Sequence, residues 1–177
     1  MKAADSPSLL ATMQRMRVRL ARPADSEAIR SIYNIEVLGS TATFDLVPRT
    51  LEEQNAWLTD HRGPYPAVVA VDEDEHVLGF GSLSVFRDRP AYSTTVENSV
   101  YVGPEARGNG VGRLLMTELI TLATQHGFHA IIARVGGDNQ ASIGLHLACG
   151  FRMVGVEQEV GRKFSRWLDV SILQLLL

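Results

Sequence analysis

Six residues constrain this chain more than any others. Arg107-Gly108-Asn109-Gly110-Val111-Gly112 stands between a strand-like run, Ser99–Val102, and an amphipathic stretch that begins at Val111. Glycines let the main chain turn tightly, so several N–H groups can face one anion. A helix beginning there adds about half a positive charge. A pyrophosphate suits such a turn, although glycines serving only a tight turn leave the same trace. A Walker loop needs Gly-Lys-Ser/Thr at its end, and here Arg113 and Leu114 follow Gly112. A dinucleotide fingerprint needs G-x-G-x-x-G, and the last spacing is one residue short. Coenzyme A is the third candidate.

The remaining pattern surrounds this unit with alternating elements. Val18–Leu20 reads as a first strand. Pro23 and Asp25 open a helix with Ile29, Ile32, Tyr33 and Val37 on one face. Gly39–Pro48 is a loop. Thr50, with Glu53 three residues on, caps a helix running to about His61. Strands are predicted over Ala67–Val71, His76–Phe86 and Thr94–Val102, the first two joined by the acidic run Asp72–Glu75, a solvated turn. Val111, Leu114, Leu115, Leu119, Leu122 and Ala123 mark a helix ending at Gly127. His129–Val135 is a strand, and Asn139 caps a helix through Cys149. Phe151–Val160 and Arg166–Leu176 are strands joined by a basic turn. This order predicts one α+β domain over 17–177. Residues 1–16 read as a disordered leader, with Met13 or Met16 as an alternative start.

Composition removes several function classes. The 177 residues carry 17 basic and 20 acidic side chains, too balanced for a general nucleic-acid binder. One cysteine, Cys149, excludes an internal disulfide framework and a thiolate-rich metal site. The C-terminal VSILQLLL is far shorter than the roughly 20 apolar residues a bilayer needs, so it reads as a buried strand and no membrane is expected. The cytoplasm is the expected compartment. Residues 1–86 hold 8 basic and 12 acidic groups, and residues 87–177 hold 9 and 8, so anion sites belong in the second half.

The glycine loop, Asn139-Gln-Ala-Ser142 and Gly150-Phe151 resemble the GNAT acetyltransferase superfamily from Val18 onward. Thr43-Phe44, Pro48-Arg49-Thr50, Thr95–Val102, Ala141-Ser-Ile with Leu145-His146, and Val160–Phe164 with Arg166–Asp169 resemble phosphinothricin and methionine sulfoximine N-acetyltransferases. The resemblance implies an acyl-CoA N-acyltransferase fold, a mixed and mostly antiparallel sheet flanked by helices. It implies acetyl-CoA as co-substrate and no metal. The backbone groups of Val100, Tyr101 and Val102 would face the acetyl and pantetheine arm. Arg107, Gly108, Asn109, Gly110, Val111, Gly112 and Arg113 would hold the diphosphate, with Asn139 and Ser142 on the pantetheine.

Acetyl transfer to an amine needs a base, an oxyanion donor and a departing thiolate. Glu97 is the candidate base, and burial in its strand would raise its pKa. The family pattern often has His after this Glu; here it is Asn98. The Val102 N–H is the candidate oxyanion donor. His146 either protonates the thiolate or is a packed helix histidine. His61, His76, His126 and His129 have no evident partner and read as surface or structural. Cys149, at a helix C-terminus, is a poor thiolate.

Arg87 or Arg89, in the loop before the Glu97 strand, would hold an amino acid carboxylate at the pocket mouth. Phe44 and Tyr92 would bound its apolar side. Lys163, Arg166 and Trp167 lie where the resembling family builds a homodimer and its pocket. The expected acceptor is the α-amine of a methionine sulfoximine, methionine sulfone or phosphinothricin type of amino acid. Another small amine, a peptide N-terminus, or CoA binding without turnover are the alternatives.

Overall fold

A computed structural model describes residues 16–177. The expected leader lies outside the described residues except for Met16, which packs against the main core. Arg17–Leu20 is β1, and a 3-10 turn at Pro23–Asp25 leads into α1, Ser26–Gly39. Asp25 does not cap α1 with its side chain. Its carboxylate accepts from the Arg19 guanidinium at 2.7 and 2.9 Å and from the Arg22 N–H at 2.7 Å.

Leu51–Asp60 is α2, and its start is the reciprocal cap its sequence predicts. Glu53 N–H donates to Thr50 Oγ1 at 3.2 Å, and Thr50 N–H donates to the Glu53 carboxylate at 2.8 Å. The chain continues through β2 (Ala67–Val71), β3 (Val77–Val85), β4 (Thr95–Val102), α3 (Val111–Gln125), β5 (Ala130–Gly136), α4 (Gln140–Ala148), β6 (Arg152–Lys163) and β7 (Arg166–Leu176). The acidic turn between β2 and β3 folds on itself: the Asp72 carboxylate accepts from the N–H groups of Asp74 and His76. Glu75 pairs with Arg17 and Arg19 of β1.

One prediction needs correcting in the last hairpin. Lys163 and Arg166 pair as strand residues, and the turn itself is Phe164-Ser165, both with positive φ. Two such residues match the twist of the flanking strands, so a two-residue turn forms without the Asn-Gly pair that announces one.

The seven strands form one sheet in the order β1-β2-β3-β4-β5-β7-β6, antiparallel except for β4 and β5. The segment VSILQLLL, apart from its final Leu177, belongs to β7, which lies inside the sheet between β5 and β6. One face is covered by α3 and α4, where Val111, Leu115, Met116, Leu119 and Ala123 meet Leu83, Val96, Ile131 and Leu173. Each such large side chain contributes about 1.5–3 kcal/mol by leaving water. On the other face α1 and Trp57 of α2 pack on Val69, Val71 and Phe80. Among the described residues no helix is long and apolar enough to cross a membrane.

Candidate active site

Parallel strands β4 and β5 pair only where Thr95, Val96 and Glu97 face Ala130, Ile131 and Ile132. Both strands run on beyond that point without pairing, so the sheet opens into a wedge. Main-chain direction follows from the ladder with β3. The Gly103 N–H donates to Leu78 O at 2.9 Å, and hydrogen-bonded and non-bonded pairs alternate from there. The peptide groups of Tyr101 are thereby committed to β3, while those of Val100 and Val102 face the wedge. The Val102 carbonyl accepts from Arg107 Nε at 3.2 Å. The Val102 N–H and both groups of Val100 remain to meet an extended molecule. Tyr101 therefore supplies wall and not main-chain bonds, which corrects its expected role. Its ring stacks on Phe80, with centroids 5.2 Å apart, on the α1 side.

The glycine loop follows directly. Gly108 and Gly110 have φ of +79° and +84°, a region that favours glycine. Gly110 leads into α3, and no side chain caps its N-terminal amides. An anion can take the place of a cap there. Arg107 also reaches the Glu36 carboxylate of α1, a buried group that accepts from Ser40 Oγ at 2.5 Å. Across the wedge, Asn139 Oδ1 accepts from the Ser142 N–H at 3.0 Å and caps α4.

These elements enclose a cavity of about 710 Å3. It is lined by Val100–Val102, Arg107, Gly108, Gly110–Gly112, Asn139 and Ser142, with Ser40–Ala42, Glu159 and Arg166–Asp169 opposite. An uncapped helix start at one end and free strand amides at the other suit a diphosphate joined to an amide-bearing arm. Asn109 and Arg113 do not line it. The acetyltransferase (GNAT) family model matches residues 29–151. The chain belongs to the GNAT acetyltransferase family.

Its relatives agree. Phosphinothricin N-acetyltransferase of Streptomyces coelicolor is 41% identical over 159 residues, covering 88% of this chain and 93% of the relative. The L-methionine sulfoximine/L-methionine sulfone acetyltransferase of Pseudomonas aeruginosa is 41% identical over 159 residues, covering 89% and 92%. A phosphinothricin acetyltransferase from Sinorhizobium meliloti, solved with AcCoA, superposes with a TM-score of 0.89 at 40% identity, covering 92% of this chain and 89% of that one.

Within this GNAT framework Glu97 sits where the wedge begins. It shares the parity of Tyr101, so its carboxylate is on the α1–α2 face. Partial burial raises its pKa, Arg134 opposes the rise and Glu157 adds to it. Asn98 points to the other face, where its Nδ2 lies 3.1 Å from His146 Nε2 and 3.6 Å from Met116 Sδ.

His146 is buried behind the cavity wall, and its Nδ1 lies 2.7 Å from the Ser142 carbonyl. A carbonyl only accepts, so Nδ1 carries the proton and Nε2 accepts from Asn98. Burial lowers the ring's pKa, more than the Ser142 carbonyl raises it. Such a neutral ring has no proton aimed at a thiolate, and the geometry is that of a packed helix histidine. Cys149 is pushed up by burial, with Arg113 opposing. Among the described residues no three His, Cys, Asp or Glu side chains gather as a metal site.

The expected substrate residues separate. Arg87, Arg89 and Tyr92 border a shallow hollow at the Val85 end of β3, not the mouth of the main cavity. Val85 faces Val96, and from Val96 to Val102 a strand advances about 20 Å. The loop therefore stands at the Glu97 end of β4 and the glycine loop at the other. Arg87 lies over the rings of Phe86 and Tyr92, at 4.9 and 5.5 Å. Trp167 lines the main cavity.

Phe44 and Lys163 do not line it. The Phe44 ring covers Gly136 and Gly161. Lys163 is 4% exposed, and its ammonium donates to Thr43 O at 2.8 Å and Glu36 O at 3.4 Å. Lys163 is thus a strut that ties the 40–48 loop to the last hairpin. Glu36, Thr41 and Glu159 carry no mark in the sequence, because their place at the cavity depends on distant chain segments, and Asp169 stands out only as the end of a resembling motif.

Proposed function

We propose that this chain transfers acetyl from acetyl-CoA to the α-amine of a small amino acid of the methionine sulfoximine, methionine sulfone or phosphinothricin type. The observation that carries the reading is the wedge itself. Free strand amides and an uncapped helix start occupy one end of β4, and a carboxylate with a raised pKa occupies the other. The names of the relatives support the substrate class. Residues 17–177 act as one domain, in the cytoplasm and as a homodimer.

Each residue has a bounded task. The amides of Gly108, Gly110 and the start of α3 bind the diphosphate. Val102, next to the glycine loop, pairs with the pantetheine arm. Glu97, through water, takes the proton that an ammonium must lose before it attacks. The Val100 N–H, nearer Glu97 than the Val102 N–H expected from sequence, donates to the oxygen on which charge develops, because the acetyl lies at the end of the arm away from the diphosphate. The thiolate departs without an assigned acid. Arg87 and Arg89 hold the acceptor's carboxylate.

The test is release of free thiol from acetyl-CoA with a panel of amino acids, methionine sulfoximine, methionine sulfone, phosphinothricin, polyamines and peptides. The sulfoximine-like compounds should give the highest kcat/KM. Arg87→Ala or Arg89→Ala should raise KM for acceptors bearing a carboxylate. Preference for polyamines or peptides would overturn the substrate class, and an unchanged KM in both variants would overturn the clamp.

A further inference from the structure

His61 is a partnered residue, contrary to its reading from sequence. It follows the last turn of α2, and its ring stacks on Trp57 with centroids 4.0 Å apart. Nδ1 lies 2.8 Å from the Trp57 carbonyl, which fixes the proton on Nδ1. Nε2, 3.1 Å from Ser84 Oγ, is then the acceptor, and the Ser84 hydroxyl is its donor.

Ser84 stands directly opposite Glu97 in the β3–β4 ladder. Residues so paired point to the same face with Cβ atoms about 4.5–5.5 Å apart. With its hydrogen committed to His61, the Ser84 oxygen has only lone pairs to offer Glu97. It can accept from a protonated Glu97 and cannot donate to an ionised one.

We propose that Ser84 and His61 are positioning residues that carry away the proton Glu97 receives, a step that rests on Glu97 being the base. The protonated Glu97 gives its proton to Ser84 Oγ as the Ser84 O–H bond breaks and its hydrogen passes to His61 Nε2. Glu97 returns to carboxylate, Ser84 is unchanged, and His61 becomes imidazolium. The stacked Trp57 face favours that cation. His61 also lines a groove between the end of α2 and the chain around Leu20–Pro23, which gives the proton a way out.

The charged surroundings are mixed. Arg134 of β5 and Glu157 of β6 act on Glu97, and they are themselves paired at 2.5 Å. Asp60 favours the charged form of His61 and Arg49 opposes it. Burial, the largest influence, keeps the resting ring neutral, and the Trp57 carbonyl works against it. Arg22, Arg62 and His126 border the same groove.

The test uses the full chain, acetyl-CoA and the fastest acceptor of the panel, with kcat and kcat/KM followed across pH. Glu97→Gln, His61→Gln, Ser84→Ala and the His61→Gln/Ser84→Ala pair are compared, with thermal unfolding and acetyl-CoA binding as controls. His61→Gln keeps an acceptor for Ser84 but cannot take a proton, so kcat should fall by about tenfold with the acid limb unmoved. Ser84→Ala should lower kcat by a similar factor and move the acid limb to lower pH. The pair should lose no more than either single variant.

If Glu97→Gln is inactive while both single variants keep kcat within about twofold and the wild-type pH profile, the relay is wrong and the base stands. If Glu97→Gln retains turnover, the base reading itself fails. Losses that multiply in the pair and follow lowered thermal stability, with no change of pH profile, would make His61 merely structural and also overturn the relay.

Discussion

The carboxylate of Glu36 grips the guanidinium of Arg107 across 71 residues of sequence. The carboxylate is buried and the arginine half exposed, so the two partners are not equivalent. Removing the arginine strands a buried charge, whereas removing both does not. Arg107→Ala should lose about 1–3 kcal/mol in urea unfolding, and adding Glu36→Gln should restore most of it. Equal losses in the single and double variants would contradict this.

Phe44 and Gly161 make a second such pair. A Cβ on Gly161 would overlap the Phe44 ring, and one on Gly136 would come within 2.5 Å of it. Gly161→Ala should therefore cost about 1–3 kcal/mol. Adding Phe44→Ala should make the combined loss smaller than the sum of the two single losses, measured by the same unfolding. Additive losses would show that the ring does not need the glycine.

Asp25 gives a pH-dependent test of the fold. Burial works to raise its pKa, but the Arg19 hydrogen bonds, the Arg22 N–H and the two positive charges outweigh it and hold the carboxyl below its ordinary value. A depressed carboxylate stabilises the fold above its unfolded pKa, about 3.9, and loses that contribution as pH falls through the lower folded value. Asp25→Asn should cost about 1.5–3 kcal/mol at pH 7. The gap between the variant and the wild type should narrow towards pH 2. A gap that stays constant with pH would exclude the ion pair as its source.

What the sequence revealed was local. The Thr50–Glu53 cap, the glycine loop and the apolar run that became β7 each depend on neighbours within a few residues. Lys163 shows the opposite case. Its place where the resembling family builds its pocket suggests a substrate contact, yet its partner carbonyl lies 120 residues away at Thr43. The partners of Glu36 and His61 are hidden for the same reason: Arg107 and Ser84 come near only in the folded chain. Sequence order picks out the loop with Arg87 and Arg89 but does not say which end of β4 it faces.

In the proposed reaction Glu97 takes the amine's proton while the other end of β4 holds acetyl-CoA. The most direct test is Glu97→Gln, with turnover at saturating substrates and the acetyl-CoA Kd measured on one preparation. The expected result is a kcat lower by about 10²–10⁴-fold with a Kd within about twofold of wild type. Turnover near the wild-type rate would contradict it.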